Sequence, residues 1–231
     1  MSDNNDSLVL VLDMDGTLVA ADANDVPHAR PYLDEFLAHA FEHCSLVGVW
    51  TAASSRWTRV VFECVLEPAL VRVRARLERP CAFAFVWTRN RCTPVPRAYS
   101  YGNASTTRVH KRLELLWEAN ADAPPERSST TNAEMRSARE LERLPWATSG
   151  ASLAYATRDN TLIVDDTPDV YTCTPANGVP IVEYTIERAV CEHEPPDDAL
   201  RRLCTLLTHL CDVYRATGTI LDVEKFNWAN E

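Results

Sequence analysis

Residues 7–12 read Ser-Leu-Val-Leu-Val-Leu, and the next four read Asp13-Met14-Asp15-Gly16. A short apolar run of this kind, without alternating polar positions, is the pattern of a strand covered on both faces. It delivers two carboxylates, one residue apart, just past its C-terminal end, and a glycine turn follows. Carboxylates held beside apolar neighbours require a compensating cation. An Asp-Gly turn on the surface would satisfy the same local pattern, so the rest of the chain has to decide between the two.

Two more runs have the same character, Ser45 to Trp50 and Thr161 to Val164, and each is followed at once by polar residues. Between the first two strands, Leu33, Phe36, Leu37, Ala40 and Phe41 recur at helical spacing behind Pro31, which suits a first helical turn. A second helix is predicted from Ser54 or Ser55, either of which can cap it, through Trp57, Val60, Val61, Cys64 and Val65 towards Pro68. Further strands are predicted over Ala82 to Trp87 and Val179 to Tyr184. A short helix is predicted over Lys111 to Ala119 and a long amphipathic one over Asp197 to Tyr214. Strands alternating with helices in this order imply an α/β fold with a Rossmann-like doubly wound parallel sheet, whose chemistry lies at the carboxyl ends of the strands. From Asn120 to Ser137 the only large apolar residue is Met135, too little to offset the entropy of ordering the segment. Residues 119–158 are therefore expected to form an exposed polar insertion, with one or two helical turns around Glu140 to Leu144, inside a single domain spanning 1–231.

Three other places bear on the chemistry. Thr161-Leu162-Ile163-Val164-Asp165-Asp166 is a second apolar strand ending in paired acids. Two strand-end acid pairs in one sheet point to an oxygen site for a hard cation. Thr51, at the end of the second strand, precedes a helix N-terminus where backbone N–H groups favour a phosphate, although Thr51 with Ser54 and Ser55 reads by itself as ordinary capping. Lys111 is one of only two lysines, with Lys225, in a chain that otherwise uses arginine 21 times. A compact ammonium in that company suggests a place where a planar guanidinium will not serve, while plain solvation of a helix surface remains the other reading.

Composition removes several classes of function. Thirty-three acidic against 23 basic residues give a formal charge of −10, a poor basis for general nucleic-acid binding. No apolar run is long enough to span a membrane, and the polar, acidic stretch Ser2 to Asp6 does not resemble a signal peptide, so an intracellular rather than secreted protein is expected. Eight cysteines without a Cys-x-x-Cys pair indicate reduced thiols rather than a zinc site or a disulfide framework.

Taken in order, Asp13 and Asp15, then Thr51, then Lys111, then Asp165-Asp166 resemble the four motifs of the haloacid dehalogenase superfamily. More narrowly, the chain resembles its FCP/SCP branch, phosphatases of the RNA polymerase II carboxy-terminal domain. Arg30-Pro31-Tyr32-Leu33-Asp34-Glu35-Phe36-Leu37, Thr88 to Cys92 and Thr161 to Pro180 carry that likeness. The resemblance implies a sheet without a large cap domain and a magnesium-dependent phosphomonoesterase acting on phosphoserine or phosphothreonine in proteins. Asp13 is then the nucleophile that forms an aspartyl-phosphate, and Asp15 the acid and later the base. Thr51 and Lys111 hold the phosphoryl group. Asp13, Asp15 through its backbone carbonyl, Asp165 and Asp166 hold Mg2+, and Arg89 is a lesser candidate for substrate phosphate. Small phosphate esters, nucleic-acid phosphate ends and a non-catalytic scaffold remain as alternative readings.

Overall fold

The structure, a computed structural model, describes residues 7–95, 109–118, 153–189 and 197–225. At its centre is a five-stranded sheet containing β1 (Leu8–Leu12), β4 (Cys44–Trp50), β5 (Val86–Trp87), β8 (Thr161–Asp165) and β9 (Gly178–Pro180). All pairings are parallel, in the order β5-β4-β1-β8-β9, with β1 in the middle. The strand order thus reverses beside β1, which is where an open α/β sheet forms its crevice.

Side chains of β1 divide by the pleat. Leu8, Leu10 and Leu12 join the core under α1 (Leu33–His43), α2 (Ser55–Val61), α3 (Glu67–Leu77) and the long C-terminal helix α5 (Ala199–Thr217). Val9 and Val11 join a smaller core on the opposite face with Trp50, Phe85, Trp87, Leu113, Leu116, Ile163 and Tyr171. There the cover supplied by the described residues is mainly the short helix α4 (Glu114–Trp117) and 3-10 turns at Leu153–Tyr155 and Pro168–Tyr171. Every residue of β1 is buried, as its uninterrupted apolar run requires.

Outside the sheet, β2 (Val19–Ala21) and β3 (Pro27–Ala29) form an antiparallel hairpin, and β6 (Thr93–Pro94) pairs with β7 (Val109–His110). Among the described residues no helix is long and apolar enough to cross a membrane. The seven described cysteines are free thiols.

Several expected elements have different limits. The helix capped by Ser54 does not stop near Pro68, because the chain widens into a π-turn at Phe62–Leu66 and re-enters α-geometry with Pro68 in the first turn of α3. A wider turn there relieves the clash between the proline ring and the preceding carbonyl that would end a regular helix. Of Ala82 to Trp87, only Val86–Trp87 pairs as strand. The last strand ends at Pro180, since the chain beyond turns back so that the Tyr184 amide donates to the Gly16 carbonyl at 2.7 Å. The helix near Lys111 begins at Glu114, which leaves Lys111 in an extended segment whose N–H donates to the Val170 carbonyl at 2.7 Å. Residues 119–152 of the expected insertion, including Glu140 to Leu144, lie outside the described residues; at its end, Ala156 is buried in the smaller core.

Candidate active site

Parallel pairing of β1 with β8 matches Leu12 to Val164, so the residues that follow each strand emerge side by side. Asp13 and Asp165 are both nearly inaccessible, and Asp166 is partly so. Each of the three offers a carboxylate oxygen within 4.8 Å of the others. Lys111 enters from the side of the smaller core with 1% of its surface exposed, and its Nζ donates to Asp13 Oδ1 and, at 2.6 Å, to Asp165 Oδ2. It is therefore no helix-surface lysine. Lys225, the other lysine, is also buried, its Nζ donating to the carbonyls of Ala176, Ile220 and Val223. Both places require a compact ammonium that donates in several directions from a narrow space, which explains lysine in an arginine-rich chain.

Three carboxylates facing one ammonium leave two formal negative charges in a buried place. Burial pushes the Asp13 carboxyl well above its usual range, opposed by Lys111 and reinforced by Asp165. Burial, with Asp165 beside it, likewise raises Asp166 to about 6. Burial alone would lower the Lys111 ammonium, but Asp13 and Asp165 outweigh it and hold the group above its usual value. An all-oxygen donor set with unbalanced negative charge fits a divalent hard cation. The remaining polar groups orient the acids. Asp165 Oδ1 accepts from the Thr167 amide at 2.9 Å, and the two oxygens of Asp166 accept from the hydroxyls of Thr17 at 3.4 Å and Thr167 at 3.3 Å.

Asp15 faces elsewhere. Its Oδ1 accepts from Trp57 Nε1 at 2.7 Å and its Oδ2 from the Thr51 hydroxyl at 3.4 Å, while Thr51 Oγ1 itself accepts from the Ala53 amide. Burial raises the Asp15 carboxyl even so, with the Trp57 and Thr51 bonds pulling the other way. Gly16 is required at the turn between these acids. Its φ is +77°, and a Cβ there would stand 2.9 Å from the Asp166 carboxylate. Arg89 is exposed, its Nε donating to the Ala52 carbonyl at 2.6 Å.

Two contributors had no functional reading in the sequence. Trp57 was legible only as an apolar helix position. Arg30 is 2% exposed, pairs with Asp197 at 3.0 Å and donates to the carbonyls of Thr17 at 3.2 Å and Val182 at 2.8 Å. It ties the Gly16 turn to the segment after β9. Only the Arg-Pro pair before α1 marked it, and its partners lie far away in the chain.

The raised carboxyls have a consequence for stability. Folded protein without a cation binds protons at Asp166 more tightly than the unfolded chain does, so this contribution is full below about pH 4 and is lost as the pH rises through about 6. A bound cation reverses the effect by favouring the ionised form. Mg2+ is thus expected to raise the melting temperature more at pH 7.5 than at pH 5, by about 2–4 °C, which corresponds to about 1 kcal/mol once solvent screening at Asp166 is allowed for. Scanning calorimetry with Mg2+ and with chelator checks this; an equal increment at both pH values would contradict the cluster's role as a cation site.

The family model for NLI interacting factor-like phosphatases matches residues 8–118 and 127–216. No curated protein matches the chain. Among solved structures, that of Fcp1, described as an essential RNA polymerase II CTD phosphatase, is similar with a TM-score of 0.47 and 14% identity, over 92% of this chain and 64% of that one. A fission yeast Fcp1 variant bound to beryllium fluoride is similar with a TM-score of 0.39 and 13% identity, over 94% of this chain and 54% of that one. This chain therefore spans less than two thirds of either.

Proposed function

The chain belongs to the NLI interacting factor-like phosphatase family, and from that premise we propose that it is a magnesium-dependent phosphomonoester hydrolase acting on phosphoserine or phosphothreonine in proteins. What carries this reading is how two carboxylates on one turn are sorted. Asp13 sits in the cluster with Lys111, Asp165 and Asp166, while Asp15 is held apart by Trp57 and Thr51. Neighbouring acids in different environments are the usual basis for dividing nucleophile from proton donor.

In this mechanism Asp13 attacks the phosphorus in line. The P–O bond to the serine or threonine oxygen breaks as Asp15 gives that oxygen its proton, and an aspartyl-phosphate remains on Asp13. Asp15, now ionised, takes a proton from water. The water oxygen bonds to the phosphorus, inorganic phosphate departs and Asp13 is restored. Asp13, Asp165, Asp166 and the backbone carbonyl of Asp15 are the groups suited to hold Mg2+, which when bound neutralises charge on the phosphoryl oxygens. Lys111 adds a fixed positive charge beside Asp13, and Thr51, whose one hydroxyl proton goes to Asp15 in the substrate-free site, would turn that proton to a phosphoryl oxygen once substrate is bound. Arg89, exposed and bonded to the Ala52 carbonyl next to Thr51, is the lesser candidate for meeting substrate phosphate.

An aryl-phosphate assay tests the reading. Turnover is expected with Mg2+, lost in chelator and restored on adding the metal back; steady turnover in chelator would contradict it. The fully buried ammonium makes a sharper test. In Lys111→Arg the charge persists, but a planar fork has to occupy space that admits a compact head between Asp13 and Asp165. At least a tenfold fall in kcat is expected, about 1.4 kcal/mol of barrier. Equal rates for the two proteins would show that Lys111 has no part in the chemistry.

A further inference from the structure

A cleft of about 380 Å3 opens beside the turn that bears Asp15. Asp15 and Gly16 form one end. Trp57 and Tyr184 provide aromatic wall, and Asp25, Glu183 and Glu187 also line it. Among the described residues its lining contains four carboxyl groups, those of Asp15, Asp25, Glu183 and Glu187, and no lysine, arginine or histidine. The wall is well fixed, because the Tyr184 amide donates to the Gly16 carbonyl and Arg30 grips the Val182 carbonyl. Asp25 comes from the β2–β3 turn, where the Asp22 carboxylate accepts from the amides of Asn24 and Val26.

The proton donor defines what enters. In the mechanism above, Asp15 protonates the oxygen that leaves the phosphorus, so the leaving group lies on the Asp15 side. For a phosphoprotein that group is the serine or threonine together with its flanking residues. Resting on that reading of the site, we propose that this cleft selects the substrate's flanking sequence, and that it takes phosphoserine or phosphothreonine segments bearing arginine or lysine next to the phosphorylated residue. Carboxylates beside an indole ring form the setting in which ammonium and guanidinium groups are held, by charge and by the ring face; the Tyr184 ring already takes the Arg30 guanidinium, 5.6 Å from its centroid, so Trp57 is the aromatic surface offered to substrate. The volume lies within the range of pockets that take groups of that size, about 300–1,000 Å3. The same carboxylates oppose a polyanion, so a nucleic-acid phosphate end is rejected by repulsion as well as by lack of contacts.

The test compares two phosphoserine peptides of equal length, identical except that arginines flank the phosphoserine in one and glutamates in the other, measured as kcat/KM with Mg2+. A preference of at least tenfold for the arginine peptide is expected at low salt, and it should shrink as salt screens the exposed carboxylates. In Glu183→Gln/Glu187→Gln the ratio should fall towards one, the arginine peptide losing rate and the glutamate peptide gaining it. Because both peptides use the same cation site, a change in Asp166 ionisation caused by neutralising Glu183 cancels in the ratio. A ratio near one in the unaltered protein, a ratio the double variant leaves unchanged, or a 5′-phosphorylated oligonucleotide turned over faster than both peptides would overturn the assignment while the phosphatase reading stood. No turnover of either peptide or of aryl phosphate would overturn both.

Discussion

Asp13→Asn is expected to lose all measurable turnover with every phosphate ester while remaining folded. The amide has nearly the shape of the carboxylate but is no nucleophile, and loss of a group that forms the covalent intermediate costs on the order of ten-thousandfold or more in rate, about 5.5 kcal/mol of barrier. Stability should move in the opposite direction. Asp13 is buried among Asp165 and Asp166 with one ammonium between them, and its carboxyl is raised because ionisation there is unfavourable. Without a cation, at pH 7.5, the variant should melt at or above the temperature of the unaltered protein, whereas Mg2+ should stabilise it less. Activity assays and thermal melts on the same preparation separate the two effects. Turnover within tenfold of the unaltered protein would remove Asp13 from the nucleophile's place, and loss of folding would show that the cluster holds the sheet together.

The same conflict between burial and charge explains why the candidate site was legible in the sequence. An apolar strand running straight into acids violates the expectation that charge avoids buried places, and a local violation of that kind marks function. Leu8–Leu12 into Asp13 and Thr161–Asp165 into Asp166 each broke the rule once, and the parallel register brought the two exceptions together. The helices α1 and α5 were legible for a simpler reason. Their buried residues, Leu33, Phe36, Leu37 and Ala40 in one and Leu200, Leu203, Leu207 and Leu210 in the other, recur at helical spacing on a single face.

What the sequence hid depends on contacts distant in the chain. Arg30 looks like any of 21 arginines until Asp197 and the carbonyl of Val182 surround it, separations of more than 150 residues that no local pattern records. Trp57 fits the apolar face of α2, and only the approach of Asp15 gives its indole N–H a partner in the candidate site. Pro68 misled in a different way. Proline ends a regular helix, but the π-turn at Phe62–Leu66 supplies wider geometry that local propensity does not encode.

Asp15→Asn is expected to divide substrates by the basicity of their leaving groups. An amide side chain can keep the acceptor for Trp57 Nε1 and a polar contact with Thr51, so the turn should hold its shape. The proton needed in the first step and the base needed in the second are both gone. Nitrophenolate departs without a proton, so nitrophenyl phosphate should still phosphorylate Asp13, and water attack should then stall for want of a base. Rapid mixing should record a burst near one equivalent of nitrophenol per enzyme, with steady turnover at least a thousandfold below that of the unaltered protein, about 4 kcal/mol. A serine alkoxide cannot leave unprotonated, so a phosphoserine peptide should give no burst. Mass spectrometry after the nitrophenyl burst should find one phosphate on the peptide containing Asp13. If the variant instead hydrolysed phosphoserine steadily at the original rate, proton transfer would have to come from another group. Asp165 would be the next candidate, and Asp15 with its bonds to Trp57 and Thr51 would be left with a purely structural part in the turn.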